Sequence, residues 1–449
     1  MIPRLQQSIT FKVLGIGVLA LLMLIPLAQV QGLIFERNGL REKALADIAQ
    51  RWGSAQDVGG PLLAIPKRRH VRINEVWTAQ ESTEILLADQ LVVEATMAPQ
   101  IRKYGIYSTP VYEAEIKMSG RFLARDLRAL GPSAPDEPGN TDEGFLFNRA
   151  ELRLPVEDVR GIRRISALRM DGVEYTFGPS TSASGALRTI SLPIDLSKWK
   201  DEPHEFKLDL TLAGTASLHF LPLARHTEAS MNAPWPNPSF NGAFLPAEHK
   251  VGDKGFDARW QVLDLNRSYG QHWQEESQSH PVDASSAAFG VSLYQPADLY
   301  QRNERAGKYG VLFVALTFVA FFLFEVLKQL RVHPVQYLLV GLALTTFYVV
   351  LLAFSEQIGF AFAYLFAATA VVLLVGGYAA AVLRAQRAGW MLAGTLAFVY
   401  ALLYGLVVSE QYSLLMGAIA LLVVVAALMF LTRKVDWYTY STVSATPAA

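Results

Sequence analysis

Lipid offers a polypeptide backbone no hydrogen-bond partner, so a run of about 20 mainly apolar residues that crosses a membrane must be a helix. Five such runs fill the last third of this 449-residue sequence, at 309–327, 335–354, 358–383, 390–408 and 413–432. A sixth lies near the start, at 13–34. Residues 37–308 have the ordinary composition of a chain that folds in water. Over the whole sequence 51% of residues are hydrophobic and 18% charged. Globular proteins carry about 25% charged residues, and the apolar runs account for the shortfall. Two solvents are implied, lipid for the runs and water for the segment between them.

The N-terminal run follows Arg4 and Lys12, as the apolar core of a signal peptide would. It extends through Val30 to Phe35 without a small-x-small cleavage site, which predicts an uncleaved anchor. Orientation comes from the short connectors. Lys328 and Arg331, Arg384 and Arg387, and Arg433 and Lys434 occupy alternate connectors, whereas 355–357 and 409–412 hold no base. Positive connectors stay cytoplasmic, so both termini are expected in the cytoplasm and residues 35–307 outside it. Arg302, Arg305 and Lys308 pull the other way, but long translocated segments obey this rule weakly. The expected organisation is a 1–34 transmembrane anchor, a 35–307 periplasmic β-rich domain, a 308–434 five-helix bundle and a 435–449 cytoplasmic tail.

Period-two alternation marks strands in that domain. Tyr112, Ala114, Ile116 and Met118 share one face of 111–118, opposite Glu113, Glu115 and Lys117. Phe206, Leu208, Leu210 and Leu212 oppose Lys207, Asp209 and Thr211 in 205–212. Less regular strands are expected at 84–97, 145–154 and 258–265. Parallel sheets read as unbroken apolar runs, so one or two sandwich-like lobes of mainly antiparallel sheet fit better. Asn38 is a plausible N-cap for a helix whose face holds Leu40, Ala44, Leu45, Ile48 and Trp52. Loops are expected at 131–144 and 178–185. The segment 232–246, with Pro234, Pro236, Pro238 and Pro246, is excluded as a regular central strand.

Motifs that carry chemistry are absent: there is no HExxH, GxSxG, Walker A or dinucleotide fingerprint. The lack of cysteine excludes disulfides and thiolate chemistry, and none of the eight histidines has metal-ligand spacing. A net charge of zero leaves no electrostatic footprint for nucleic acid. His219 reads as a solvated strand residue, and His226 with Glu228 as a base and orienter lacking a nucleophile. Trp235 and Phe240 offer either an exposed aromatic loop for a partner or glycan, or a pair pinning that loop to a sheet; the second is the expectation.

One internal pattern stands out in the apolar part. Ser355-Glu356-Gln357 recurs as Ser409-Glu410-Gln411, and Leu338, Leu342, Ala343 and Leu352 match Leu392, Leu396, Ala397 and Leu406 at the same offset. This suggests duplicated helical hairpins with Glu356, Gln357, Glu410 and Gln411 in solvated outer turns. Glu325 is expected to pair with Lys328, and Pro334 to occupy the first turn of a helix opened by His333.

Several long strings resemble the CreD family of bacterial inner-membrane proteins. They include KYGVLFVALTFVAFFLFE at 308–325, HPVQYLLVGLALTTFYVVLLAFSEQIGFAFAY at 333–364 and LTRKVDWY at 431–438. YGIYSTPVYEAEIKMSGRF at 104–122, WPNPSFNGAFLP at 235–246 and GFDARWQVLDLNR at 255–267 extend the resemblance outside the apolar runs. Glu410-Gln411 departs from the Glu-Asp expected of that family. The resemblance implies an inner-membrane protein linked to cell-envelope integrity, in a group whose expression is tied to a two-component system. It implies no catalytic residue and no cofactor.

The expected function is therefore a non-enzymatic envelope protein in the lipid bilayer, whose outer domain binds an envelope protein or a cell-wall or lipid component. A transporter or transporter accessory built on Glu356 and Glu410 is the alternative. An enzyme using carboxylates brought together only by the fold leaves no linear motif and stays open.

Overall fold

The computed structural model describes residues 9–73, 76–134, 143–178, 183–184, 187–275, 283–294, 299–327, 332–382, 386–409 and 412–433. The chain forms two compact units. One, Met1–Glu42 with Ala297–Ala449, is helical; the other, Lys43–Pro296, is β-rich.

In chain order the described helices are α1 (Ile9–Leu22), α2 (Leu24–Trp52), α3 (Ala124–Leu130), α4 (Leu299–Lys308), α5 (Gly310–Leu327), α6 (Pro334–Ile358), α7 (Phe360–Val382), α8 (Gln386–Val408) and α9 (Ser413–Thr432). Only α3 and the end of α2 belong to the β-rich unit. Pro26 explains the interruption between α1 and α2. Its ring lacks the N–H that Leu22 would receive, while Met23 N–H donates to Leu19 O and Leu27 N–H to Met23 O on either side. Asn38 is not an N-cap: it lies inside α2, where the backbone ladder never stops. The helix ends instead at Gly53, whose φ of 130° suits glycine and whose Cβ would fall 2.5 Å from Ala213 O.

Four described stretches are long and apolar enough to cross a membrane: Val13–Trp52, Pro334–Ile358, Phe360–Val382 and Gly389–Val408. The pair α4 and α5, bent by 45°, makes a fifth if taken as one span. In α9 the described apolar part, Leu415–Ala426, is shorter. Residues 355–357 are not a turn: they complete α6, and the chain reverses at Gly359 with φ 81°. His333 and Pro334 open α6 as expected, with Gln336 Oε1 accepting from His333 N–H.

The β-rich unit holds three sheets among the described residues. The largest runs Val173–Tyr175, Leu168–Met170, Pro203–Thr215, Tyr107–Leu123, Ala88–Tyr104, Ala224–Ala233, Gly255–Leu263, Glu248–Gly252, with Ile162–Ile165 beside Pro203–Thr215. The second runs Ala183–Ser184, Leu187–Ile194, Ala150–Pro155, Leu62–Ile73, Val76–Leu86, His272–Gln274, with Gly144–Phe145 beside Leu62–Ile73. The smallest runs Gln56–Gly59, Ser217–Leu221, Phe289–Leu293, Pro238–Gly242. Pairing is antiparallel except between Gln56–Gly59 and Ser217–Leu221 and between Ala88–Tyr104 and Ala224–Ala233.

The two clearest alternating segments pair with each other. Leu212 lies opposite Ala114, Leu210 opposite Ile116 and Leu208 opposite Met118, and all six side chains are buried. Leu63, Ile65, Leu152 and Leu192 from the second sheet and Leu218, Phe220, Phe289 and Val291 from the third join them in one core. Three expected strands are interrupted. The 84–97 segment breaks at Leu87, where the chain passes from the second sheet to the first and Gln271 donates to the carbonyls of Leu87 and Ala88. The 145–154 segment contains the 3-10 turn Phe147–Arg149, and 258–265 gives way to the turn Asp264–Asn266. Of the expected loops, 135–142, 179–182 and 185 lie outside the described residues, and Ala183–Ser184 within the second forms a short strand. Pro238 opens an edge strand, the position a missing N–H tolerates.

The alternation in Pro203–Thr215 makes a direct test. Leu210→Ala should destabilise the protein by roughly 2–5 kcal/mol through cavity formation, whereas Lys207→Ala should change it by less than about 0.5 kcal/mol. Denaturant unfolding of the full chain in detergent measures both; equal effects would contradict the register.

Candidate functional site

Buried polar side chains in an apolar bundle must find partners, and those partners locate the candidate site of the helical unit. Tyr300, Asn303, Ala306 and Gly307 form the buried face of α4. Asn303 and Ser355 are each only 1% exposed. Asn303 Nδ2 donates to Ser355 Oγ at 2.9 Å and to Leu299 O at 2.8 Å, and Ser355 Oγ donates to Leu352 O at 2.8 Å. One residue on, Glu356 Oε1 accepts from Tyr300 O–H at 3.0 Å. Arg302 stacks 5.8 Å from the Phe360 ring centre, just past the Gly359 turn. These groups fasten α4 to the end of α6. Glu356 is thus half-buried and bonded, not a solvated turn residue, while Gln357 is exposed. Glu410 and Gln411 lie outside the described residues.

Glu325 is buried in α5, with Oε1 accepting from Val332 N–H and Oε2 from Tyr337 O–H, both at 2.8 Å. Its carboxylate therefore caps the entry to the next helix; the expected partner Lys328 lies outside the described residues. A cleft of about 220 Å³ between α6 and α7 is lined by Leu339, Val340, Ala343, Leu374, Val375 and Tyr378.

In the β-rich unit the smallest sheet carries a polar row. Asp57, His219, Gly290 and Asn241 stand side by side across its four strands. His219 Nδ1 lies 3.0 Å from Asp57 Oδ1 and Nε2 2.8 Å from Asn241 Oδ1, and Asn241 Nδ2 donates to Ser292 Oγ at 2.7 Å. His219 reaches Asn241 across Gly290, where a Cβ would sit 3.0 Å from its ring. His219 is thus bonded at both ring nitrogens rather than solvated. Burial lowers its pKa, but the hydrogen bonds to Asp57 and Asn241 more than offset that and hold it above the ordinary value.

His226 Nε2 does meet Glu228 Oε1 at 3.1 Å, with Gln261 as its other neighbour. Trp235 and Phe240 both pack on the core. Trp235 Nε1 donates to Asn237 O and Tyr294 O, while the Phe240 ring lies 5.8 Å from Phe256 and 6.1 Å from Trp260. Among the described residues no group of three or more His, Cys, Asp or Glu is placed to hold a metal ion. Sequence reading missed Tyr300 and Asn303. Their i, i+3 spacing, continued by Ala306 and Gly307, was the available signal.

Apolar helices of membrane-crossing length and a large β-rich unit between them define a membrane protein with a substantial part outside the bilayer. The profile of the family described as "Inner membrane protein CreD" matches residues 8–438, and the chain belongs to that family. It is 32% identical over 447 residues to Inner membrane protein CreD of Escherichia coli (strain K12), covering 97% of this chain and 95% of the relative. Among solved structures, native yeast LTA4 hydrolase aligns with a TM-score of 0.21 and 8% identity over 52% of this chain and 35% of its own. A likeness that low carries no argument.

The His219 row predicts a pH signature. An unperturbed histidine titrates at about 6.5. With the folded value raised, protonated His219 adds stability that is fully present below about pH 6.5 and is lost as pH rises through the raised value. The melting temperature of His219→Gln should lie about 2–4 °C below wild type at pH 6, and the gap should narrow as pH rises through the raised value. A gap that does not change with pH would contradict this.

Proposed function

We propose that this protein supports cell-envelope integrity as a six-span inner-membrane protein without catalysing a reaction. In this reading α4 and α5 together form the second span and α9 the sixth. Both termini face the cytoplasm and the β-rich unit lies in the periplasm, because Lys328, Arg331, Arg384, Arg387, Arg433 and Lys434 mark the cytoplasmic connectors. The periplasmic unit binds an envelope protein or a cell-wall or lipid component, and the helical unit anchors it. The carrying observation is the insertion of a unit with its own core, Lys43–Pro296, between apolar helices in a chain of the CreD family.

The recurrence of Ser355-Glu356-Gln357 as Ser409-Glu410-Gln411 favours a second reading, a transporter or transporter accessory that uses the hairpin ends. Cells lacking the protein and complemented with Glu356→Gln plus Glu410→Gln separate the two. The anchoring reading predicts full resistance to envelope stress at normal expression. Loss of resistance with expression intact would favour transport. Photo-crosslinking from exposed positions such as Asp253 should capture an envelope component; repeated absence of any specific product would count against the binding role.

A further inference from the structure

The end of α2 gathers cations with which no carboxylate among the described residues forms an ion pair. Trp52 is half-buried and fixed by its Nε1 donating to Tyr112 O at 3.2 Å. Tyr112 is held in turn by its hydroxyl on Ser217 O at 2.6 Å. Onto this indole fold two exposed guanidinium groups, Arg102 at 4.7 Å and Arg163 at 5.0 Å from the ring centre. Arg163 also donates to Trp52 O at 3.1 Å. Arg51, next in sequence, lies 5.9 Å from the ring of Tyr104, two residues beyond Arg102 on the same strand.

The grouping is electrostatically unfavourable on its own. Arg102 and Arg163 are at most about 10 Å apart, no more than one screening length at about 0.1 M salt. No described carboxylate forms an ion pair with Arg51, Arg102 or Arg163. Asp158, five residues before Arg163, is buried and already saturated by Ser54 and Arg160. Over the whole chain, acids and bases balance, so three arginines without an ion pair among the described residues, two on Trp52 and one on Tyr104, are a local excess. Stacking leaves N–H edges free on Arg102, and on Arg163 those not given to Trp52 O, and such edges match the paired oxygens of phosphate better than an ammonium does. The exposed hairpin tip alongside, with Ile101, Tyr104 and Ile106, adds an apolar margin.

We infer that Arg51, Arg102 and Arg163, held on Trp52 and Tyr104, form a binding site for phosphate oxyanions. The inference stands on the β-rich unit alone and holds on whichever side of the membrane that unit lies.

Calorimetric titration of pyrophosphate into the full chain, in nanodiscs of uncharged lipid at about 50 mM salt, tests it. Saturable binding is expected, weakened at least about 10-fold in Arg51→Gln/Arg102→Gln/Arg163→Gln. Because Arg102 is on an exposed hairpin tip, Arg102→Gln alone should fold normally and still weaken binding several-fold. Arg102→Lys should recover only part of the loss, since it restores charge but not the fork. A second arm uses phosphatidylglycerol nanodiscs or added phosphatidylglycerol vesicles. Competition there identifies a lipid headgroup as the source of the phosphate, and unchanged pyrophosphate binding identifies a soluble one. Absence of saturable binding in the first arm, or equal binding by wild type and Arg102→Gln, overturns the proposal.

Discussion

A backbone in hydrocarbon must satisfy its own hydrogen bonds, and the architecture of this chain follows from how it does so. Three described breaks in the helical ladder show how the loss is contained. At Pro26 the lost bond is isolated, because the donors before and after it keep their partners. At the junction of α4 and α5 the ladder continues through Tyr309 N–H to Arg305 O and Phe313 N–H to Tyr309 O, while Gln31 donates to Gly307 O. At the entry to α6 the Glu325 carboxylate takes the Val332 N–H. Gln31, Asn303 and Glu325 thus spend their side chains on backbone groups and on the Ser355 and Tyr337 hydroxyls. The Asn303–Ser355 and Tyr300–Glu356 bonds are best understood in the same way, as fasteners between helices.

The β-rich unit solves the same problem with sheets. Its strands pair in three open sheets that share one large core, with a second, smaller core around Leu62, Leu87, Leu223 and Tyr269. Where sheets meet, side chains take over. Gln56, fully buried, donates to Asp158 O and Ala213 O and accepts from Asp158 N–H. The Arg160 guanidinium, aided by Ser54, holds the Asp158 carboxyl well below the usual carboxylate range. Breaking one partner of such a knot leaves a buried charge or donor exposed to nothing, which is why these residues sit at the seam and not on the strands' open faces.

Much of this was legible in residue order. Periods of two and long apolar runs report which solvent each face meets, so 111–118, 205–212 and the apolar helices could be read directly. The break at Leu87 was not legible, because Ile85, Leu86, Leu87 and Ala88 are all buried where the chain changes sheet, and alternation vanishes there. The turn at 355–357 was misplaced because polarity alone drew it; Ser355 and Glu356 are polar since α4 meets them. His219 was misjudged for a similar reason. Its partners Asp57 and Asn241 come from strands far away in sequence, and only the register beside Gly290 shows that the three align.

The sequence contains no cysteine, so single cysteines report topology cleanly. In the proposed topology the apolar helices thread the inner membrane with the β-rich unit outside the cytoplasm. A membrane-impermeant thiol reagent, applied to cells with a permeabilised outer membrane, should label Asp253→Cys in the β-rich unit. It should leave Arg387→Cys untouched until the inner membrane is opened. Labelling of Arg387→Cys with protection of Asp253→Cys would contradict the account.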